Sequence, residues 1–354
     1  MRALMLIPSV LKTGVAAAVA ADAHPTMDYF ALADALRRGG ASVDIVDFAA
    51  LEAERSPLVR MASQRGGKDA GLAMLGFLRR GGYDAIFTNS ESVSIPLALL
   101  LKGAPRRPRH VTIGHRLTTG KKRLFFQTLK AHQKIDRIFV YAALQRNFAV
   151  RELGIPEGVV EHIQFHADAD FYRPLPEVAE DPCQICAAGL EWRDYPTLIE
   201  AVRPMTDLKV RLAAASPWSK HIDETQKSEL PPNVEARRYE YGELRDLYAR
   251  SFAVAVPLYD NDFQAGITTI LEAMAMGKPV IVTRTQGQTD VIVDGETGLY
   301  VAPGDIEGWR RAIQRLREDG TLRRTLGDNA RAWIEGNATL TGWADRIAAS
   351  IQGR

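Results

Sequence analysis

The densest run of residues able to do chemistry is Asp262-Phe-Gln-Ala-Gly-Ile-Thr-Thr-Ile-Leu-Glu-Ala-Met-Ala-Met-Gly-Lys-Pro-Val-Ile-Val-Thr283. Its pattern predicts a loop through Gly266, a helix over roughly 267–276, a stop at Gly277 and then a buried strand. A helix start offers unpaired amides and positive partial charge, which suits phosphate. A glycine there lets the backbone approach such a ligand closely. The amides near Gly266, Ile267 and Thr268 are therefore candidate phosphate donors. Glu272, more than a turn further along, can accept two hydrogen bonds from a ribose diol. The alternative for Glu272 is a solvated helix glutamate.

His115, in Arg109-His-Val-Thr-Ile-Gly-His-Arg116, follows a predicted strand at its carboxyl end, where a doubly wound domain presents ligand groups. A capping or packing histidine is the other reading. Next comes Gly120-Lys-Lys-Arg-Leu-Phe-Phe-Gln-Thr-Leu-Lys-Ala-His-Gln-Lys134, a predicted basic helix. Lys121, Lys122 and Arg123 beside Phe125 and Phe126, with Arg116 nearby, suit an anionic-lipid surface. An ordinary helix whose apolar stripe faces a sheet is the competing reading.

These residues need elements to hold them. The 354 residues favour two domains. Strand-like runs near 2–8, 42–47, 84–88, 109–114, 136–141 and 159–165 alternate with amphipathic helical stretches. The alternation restarts with strands near 183–188, 208–214, 234–238, 252–257, 279–283 and 298–301. Such alternation builds parallel sheets. The proline-rich stretch Asp170–Pro182 marks the boundary. The expected fold class is α/β, with two Rossmann-like doubly wound domains facing a central cleft. The expected domains are 1–172 and 173–340, with a helix over 341–354 crossing back to the first.

Net charge is +2, but residues 1–172 carry +7 and the remainder −5. Lys102 to Arg151 holds 13 basic residues and one acid, Asp136, so an anionic neighbour is expected. No nucleic-acid-binding signature accompanies this charge, which excludes that partner. Cys183 and Cys186 lie in an apolar run that reads as a buried strand, not a zinc site. Asp168 and Asp170 have no supporting cluster, so no metal is expected. No segment is long and apolar enough to span a membrane, and Met1–Pro8 reads as a first strand. The expected location is cytoplasmic, with the basic helix a candidate contact on the inner face of the plasma membrane.

Glu272-Ala-Met-Ala-Met-Gly277, Asp294-Gly295, Gly298-Leu-Tyr-Val301 and Pro303-Gly304-Asp305 together resemble the family 4 glycosyltransferases. The resemblance implies the GT-B architecture and a retaining, metal-independent hexosyltransferase. It implies a nucleotide-sugar co-substrate, UDP-linked on family frequency, with no further cofactor, and a lipid or saccharide acceptor. It implies that Glu272 holds the ribose and that His115 contacts the donor sugar. In Gly189-Leu-Glu-Trp-Arg193, Arg193 stands at the family's phosphate-binding lysine, while Leu190 replaces an arginine. Gln264 replaces a glutamate that contacts donor hydroxyls, which opens donor identity. Gly14 is the last glycine of a turn near the donor phosphate. A non-catalytic nucleotide-sugar-binding scaffold, or a nucleotide-sugar epimerase of the same architecture, is the alternative.

Overall fold

A computed structural model describes residues 1–214 and 230–354. Runs rich in Val, Ile, Ala and Phe form twelve strands among the described residues. In the first half these are β1 (Arg2–Leu6), β2 (Ser42–Val46), β3 (Ala85–Thr88), β4 (Arg109–Gly114), β5 (Arg137–Val140) and β6 (Val160–His162). All pair in parallel in the order β2-β1-β3-β4-β5-β6. In the second half they are β7 (Asp181–Ala188), β8 (Lys209–Ala213), β9 (Val234–Ala236), β10 (Ser251–Val256), β11 (Val280–Thr283) and β12 (Leu299–Val301). This sheet is also parallel, in the order β12-β11-β10-β7-β8-β9. The expected α/β class with two Rossmann-like doubly wound domains is met: the second order is that of a Rossmann domain, and the first begins as the flavodoxin-like variant does.

Parallel strands are covered by helices on both faces, so their residues alternate between two apolar layers. In β7, Cys186 and Ala188 pack with helix Ile267–Ala275, while Ile185 and Ala187 pack with helices Tyr195–Val202 and Ile306–Glu318. All six residues of β10 are buried.

The chain divides into two compact units. The first comprises Met1–Gly14, Met27–Gln164 and Thr341–Arg354; the second comprises Val15–Thr26 and Phe165–Leu340. Helix Leu340–Gln352 is tied to the first unit by Arg38–Asp345 at 2.8 Å and by Arg109, whose Nε donates to the Ser350 carbonyl at 2.7 Å. Val15–Thr26 is tied to the second unit by Asp22, which pairs with both Arg173 and Arg245 at 2.9 Å. Those two guanidinium groups hold the Asp22 carboxyl well below the usual range.

Candidate functional site

In the second unit the strand order reverses between β7 and β10, the switch point where doubly wound sheets bind ligands. A cavity of about 420 Å³ opens there. Its walls come from the loop after β7, the loop and helix start after β10, and helix Tyr241–Arg250.

The loop after β7 turns at Gly189, whose φ is +91°. A Cβ at Gly189 would lie 2.5 Å from the Arg193 guanidinium, so the turn and the arginine require each other. The loop is laced to the one after β10: Asp194 N–H donates to the Pro257 carbonyl and Tyr259 N–H to the Trp192 carbonyl, each at 3.1 Å. Arg193 is thereby sunk to 9% exposure. Its Nε donates to the Ala188 carbonyl at 2.8 Å, Nη1 to the Glu191 carbonyl at 2.8 Å and Nη2 to Thr269 Oγ1 at 3.2 Å. Burial pulls its pKa down, opposed by Tyr195, Tyr248, Glu191 and Glu272. A guanidinium stays charged in such a setting. No carboxylate lies within ion-pair distance of it among the described residues. A buried cation placed this way favours an anion.

Gly266 supplies the second anionic preference. It starts helix Ile267–Ala275 in the left-handed region, with φ +78°, and no side chain caps that start. The free helix start and Arg193 line the same cavity, together with Gln264, Ile267, Thr268 and Glu272. Both polar atoms of the Gln264 amide are buried without a hydrogen-bond partner.

Glu272 is 9% exposed, not solvated. Its Oε2 accepts from the Tyr248 hydroxyl at 3.0 Å. Burial pushes its carboxyl up to about 7, against the Tyr248 hydroxyl, the nearby Tyr172 hydroxyl and the charge of Arg193. Thr269, three residues earlier on the same helix face, bonds Arg193, so one helix supports both groups. Tyr172 and Tyr248 escaped the sequence reading as site residues, because no local motif marks a residue brought to the site by tertiary packing; Thr269 lies inside the motif itself, but its contact with Arg193 is not a local signal.

In the first unit, His115 follows β4 and is exposed. Its Nε2 lies 3.1 Å from the Asn89 carbonyl. Buried Glu91, also missed from sequence, accepts the backbone N–H of His115 at 2.9 Å and of Arg116 at 3.2 Å, and pairs with Lys122. Burial raises the Glu91 carboxyl, but Lys122 and His115 outweigh it and keep it low. Gly14 is the last residue of its segment of this unit, at φ +82°.

The expected basic helix is corrected. Lys121–Arg123 is a single α turn, Leu124–Thr128 a π turn and Ala131–Lys134 a 3₁₀ turn. Phe126 is 1% exposed and belongs to the core, and Phe125 is partly buried against it. Lys122 serves Glu91, and Arg123 pairs with Glu152. The side chain of Lys121 lies outside the described residues. Arg107, Arg137 and Arg146 likewise find carboxylates in the same unit, so tertiary pairs neutralise much of the local charge run.

No helix among the described residues is long and apolar enough to cross a membrane. Among the same residues no group of three or more His, Cys, Asp or Glu is placed to hold a metal ion.

Residues 184–319 match the family model described as Glycosyl transferases group 1. The stretch contains every residue that lines the cavity. The chain is 31% identical over 159 residues to the lipopolysaccharide core biosynthesis glycosyltransferase LpsE of Rhizobium meliloti, covering 45% of this chain and 44% of that one. It is 30% identical over 219 residues to the lipopolysaccharide core biosynthesis mannosyltransferase LpcC of Rhizobium leguminosarum bv. viciae, covering 56% and 60%. The chain spans less than half the length of the first curated relatives it matches. Anabaena HepE, solved in complex with UDP, shares the fold over 100% of both chains, with a TM-score of 0.75 and 17% identity. The same protein has also been solved with UDP-glucose.

Proposed function

We propose that this chain is a retaining glycosyltransferase that moves a sugar from a nucleoside diphosphate sugar, UDP-linked, to a saccharide acceptor, free or lipid-linked. The observation that carries the reading is Arg193: a buried guanidinium with no carboxylate at ion-pair distance among the described residues, sharing one cavity with an uncapped helix start at Gly266. Two fixed positive poles suit a diphosphate better than a neutral ligand. Support for the donor class also comes from HepE, which binds UDP on the same fold. Support for the acceptor class comes from LpsE and LpcC, both named for lipopolysaccharide core biosynthesis.

In this reading Glu272 accepts hydrogen bonds from the ribose diol. Arg193 and the amides of Ile267 and Thr268 hold the diphosphate. Gln264 turns its amide to the donor sugar, where hydroxyls satisfy both of its unpartnered atoms. As the bond from the sugar C1 to the phosphate oxygen breaks, negative charge grows on that oxygen, and the two positive poles stabilise it. The acceptor oxygen bonds to C1 on the face the diphosphate leaves, and its proton passes to the departing phosphate oxygen. Charge on the leaving group is thus met by protein groups, and the reaction needs no metal or further cofactor. His115 is assigned to turnover and Gly14 to the donor side. Arg116 and Arg123 are assigned to the acceptor side, with Arg123 and its exposed neighbours Leu124, Leu129 and Lys130 available to anionic lipid.

The test is nucleotide release from UDP-, GDP- and ADP-sugars in the presence of a chelator, with and without a bacterial lipid extract and a saccharide mixture. Release from one donor, rising with acceptor, is the expected result, and the anomeric configuration of the product by NMR reports retention. Absence of both release and binding for every donor overturns the reading.

A further inference from the structure

We propose that Tyr248 is a positioning residue for Glu272 and that, with Tyr172, it makes donor capture depend on whether this one buried carboxylate is ionised. The inference rests on the reading that Glu272 receives the ribose of a nucleotide sugar.

Glu272 is met from three other elements. Tyr248, from helix Tyr241–Arg250, is fully buried and donates to Oε2 at 3.0 Å. Tyr172, before β7, is also buried; its hydroxyl faces the same carboxylate without a hydrogen bond of good geometry. Arg193, from the loop after β7, contributes positive charge. Behind this layer, Cys186 of β7 faces Tyr248, and Tyr241 and Asp168 face Tyr172. Burial raises both tyrosine hydroxyls well above their ordinary range, so they act only as neutral donors.

A ribose diol brings two more donors, and only an ionised carboxylate has acceptor sites for all of them. A neutral carboxyl must place a proton on one oxygen and gives up acceptance there. Burial lifts Glu272 to about 7, so the neutral acid competes with the donor at ordinary pH. Donor binding therefore expels a proton, and affinity rises with pH. The Tyr248 hydroxyl favours the ionised form; its removal moves the transition to higher pH. It also fixes Oε2, leaving Oε1 for the ligand.

Titration calorimetry with UDP-glucose, GDP-mannose and ADP-glucose tests this between pH 5.5 and 9. The diphosphates are diesterified and do not titrate in that range, and the uracil and guanine N–H groups begin to ionise only at its alkaline end, so pH dependence below that end belongs to the protein, and each variant is compared with wild type at the same pH. The bound donor is expected to bind about tenfold more tightly at pH 8 than at pH 6, with proton release seen as a buffer-dependent heat. Tyr248→Phe is expected to bind about tenfold more weakly at pH 7.5 and to recover by pH 9. Tyr172→Phe is the second arm, expected to shift in the same direction by less, and thermal melting of each variant shows that it is folded. Wild-type affinity that is flat with pH, or a Tyr248→Phe loss equal at every pH, overturns the inference while leaving the donor reading intact. Failure of wild type to bind any of the three donors at any pH overturns both.

Discussion

Glu272 is costly to the empty protein. Its carboxyl sits at about 7 when folded, against an ordinary 4.5. Between these values the folded chain keeps a proton that the unfolded chain has released, so stability falls as pH rises through the window and stays lower above it. Glu272→Gln removes the charge at nearly constant shape. The variant is expected to gain up to about 3 kcal/mol at pH 8 and almost nothing at pH 4.5, as read by urea unfolding without nucleotide. The same variant should bind nucleotide sugar less tightly, and equal stability of the two proteins at pH 8 would refute the assignment. Arg193 carries the complementary expectation. Lysine keeps the charge but cannot reach the Ala188 carbonyl, the Glu191 carbonyl and Thr269 together. Arg193→Lys should therefore weaken UDP binding at least about tenfold, since charged hydrogen bonds of this kind contribute roughly 1.5–3 kcal/mol. Uridine, lacking phosphate, should bind both proteins alike; equal losses for uridine and UDP would remove Arg193 from the phosphate.

At the scale of elements, the site depends on how two strands end. Gly189 and Gly266 both take positive φ, and a Cβ on either would press on Arg193 or on Val256. Gly189→Ala combines backbone strain with displacement of the guanidinium. The expected cost is about 1–3 kcal/mol in stability with a larger proportional loss of nucleotide affinity, checked by melting and calorimetry on one preparation; unchanged affinity would show that Arg193 can move freely. Much of this region is legible in the sequence because its signals are local. Gly266 and Gly277 bracket the helix, and the apolar runs of β7, β10 and β11 announce strands buried on both faces. The tyrosines around Glu272 are not legible, because Tyr172 and Tyr248 lie 100 and 24 residues away and reach it only through packing. The basic stretch misleads for the same reason. Lys122 looks free until Glu91, 31 residues earlier, folds beneath it.

At the scale of the whole molecule, neither unit is a continuous piece of chain. The second unit borrows Val15–Thr26 from the first half, and the first borrows Thr341–Arg354 from the end. Asp22 shows how firmly the first loan is held: it is the shared partner of Arg173 and Arg245, and Arg245 is itself largely buried. The second loan is held by apolar area. Trp343, Ile347 and Ile351 are all buried on the helix that ends the chain. Burying three such side chains contributes on the order of 5 kcal/mol, comparable to the whole stability of a typical domain. A chain ending at Leu340 is therefore expected to lose the first unit selectively. Hydrogen exchange should show β1, β3 and β4 losing protection while β7, β10 and β11 keep theirs. Because the cavity is built from the second unit alone, that chain should still bind UDP while losing transfer activity. Retained protection across β1–β4 would mean that the helix covers the first unit without supporting it.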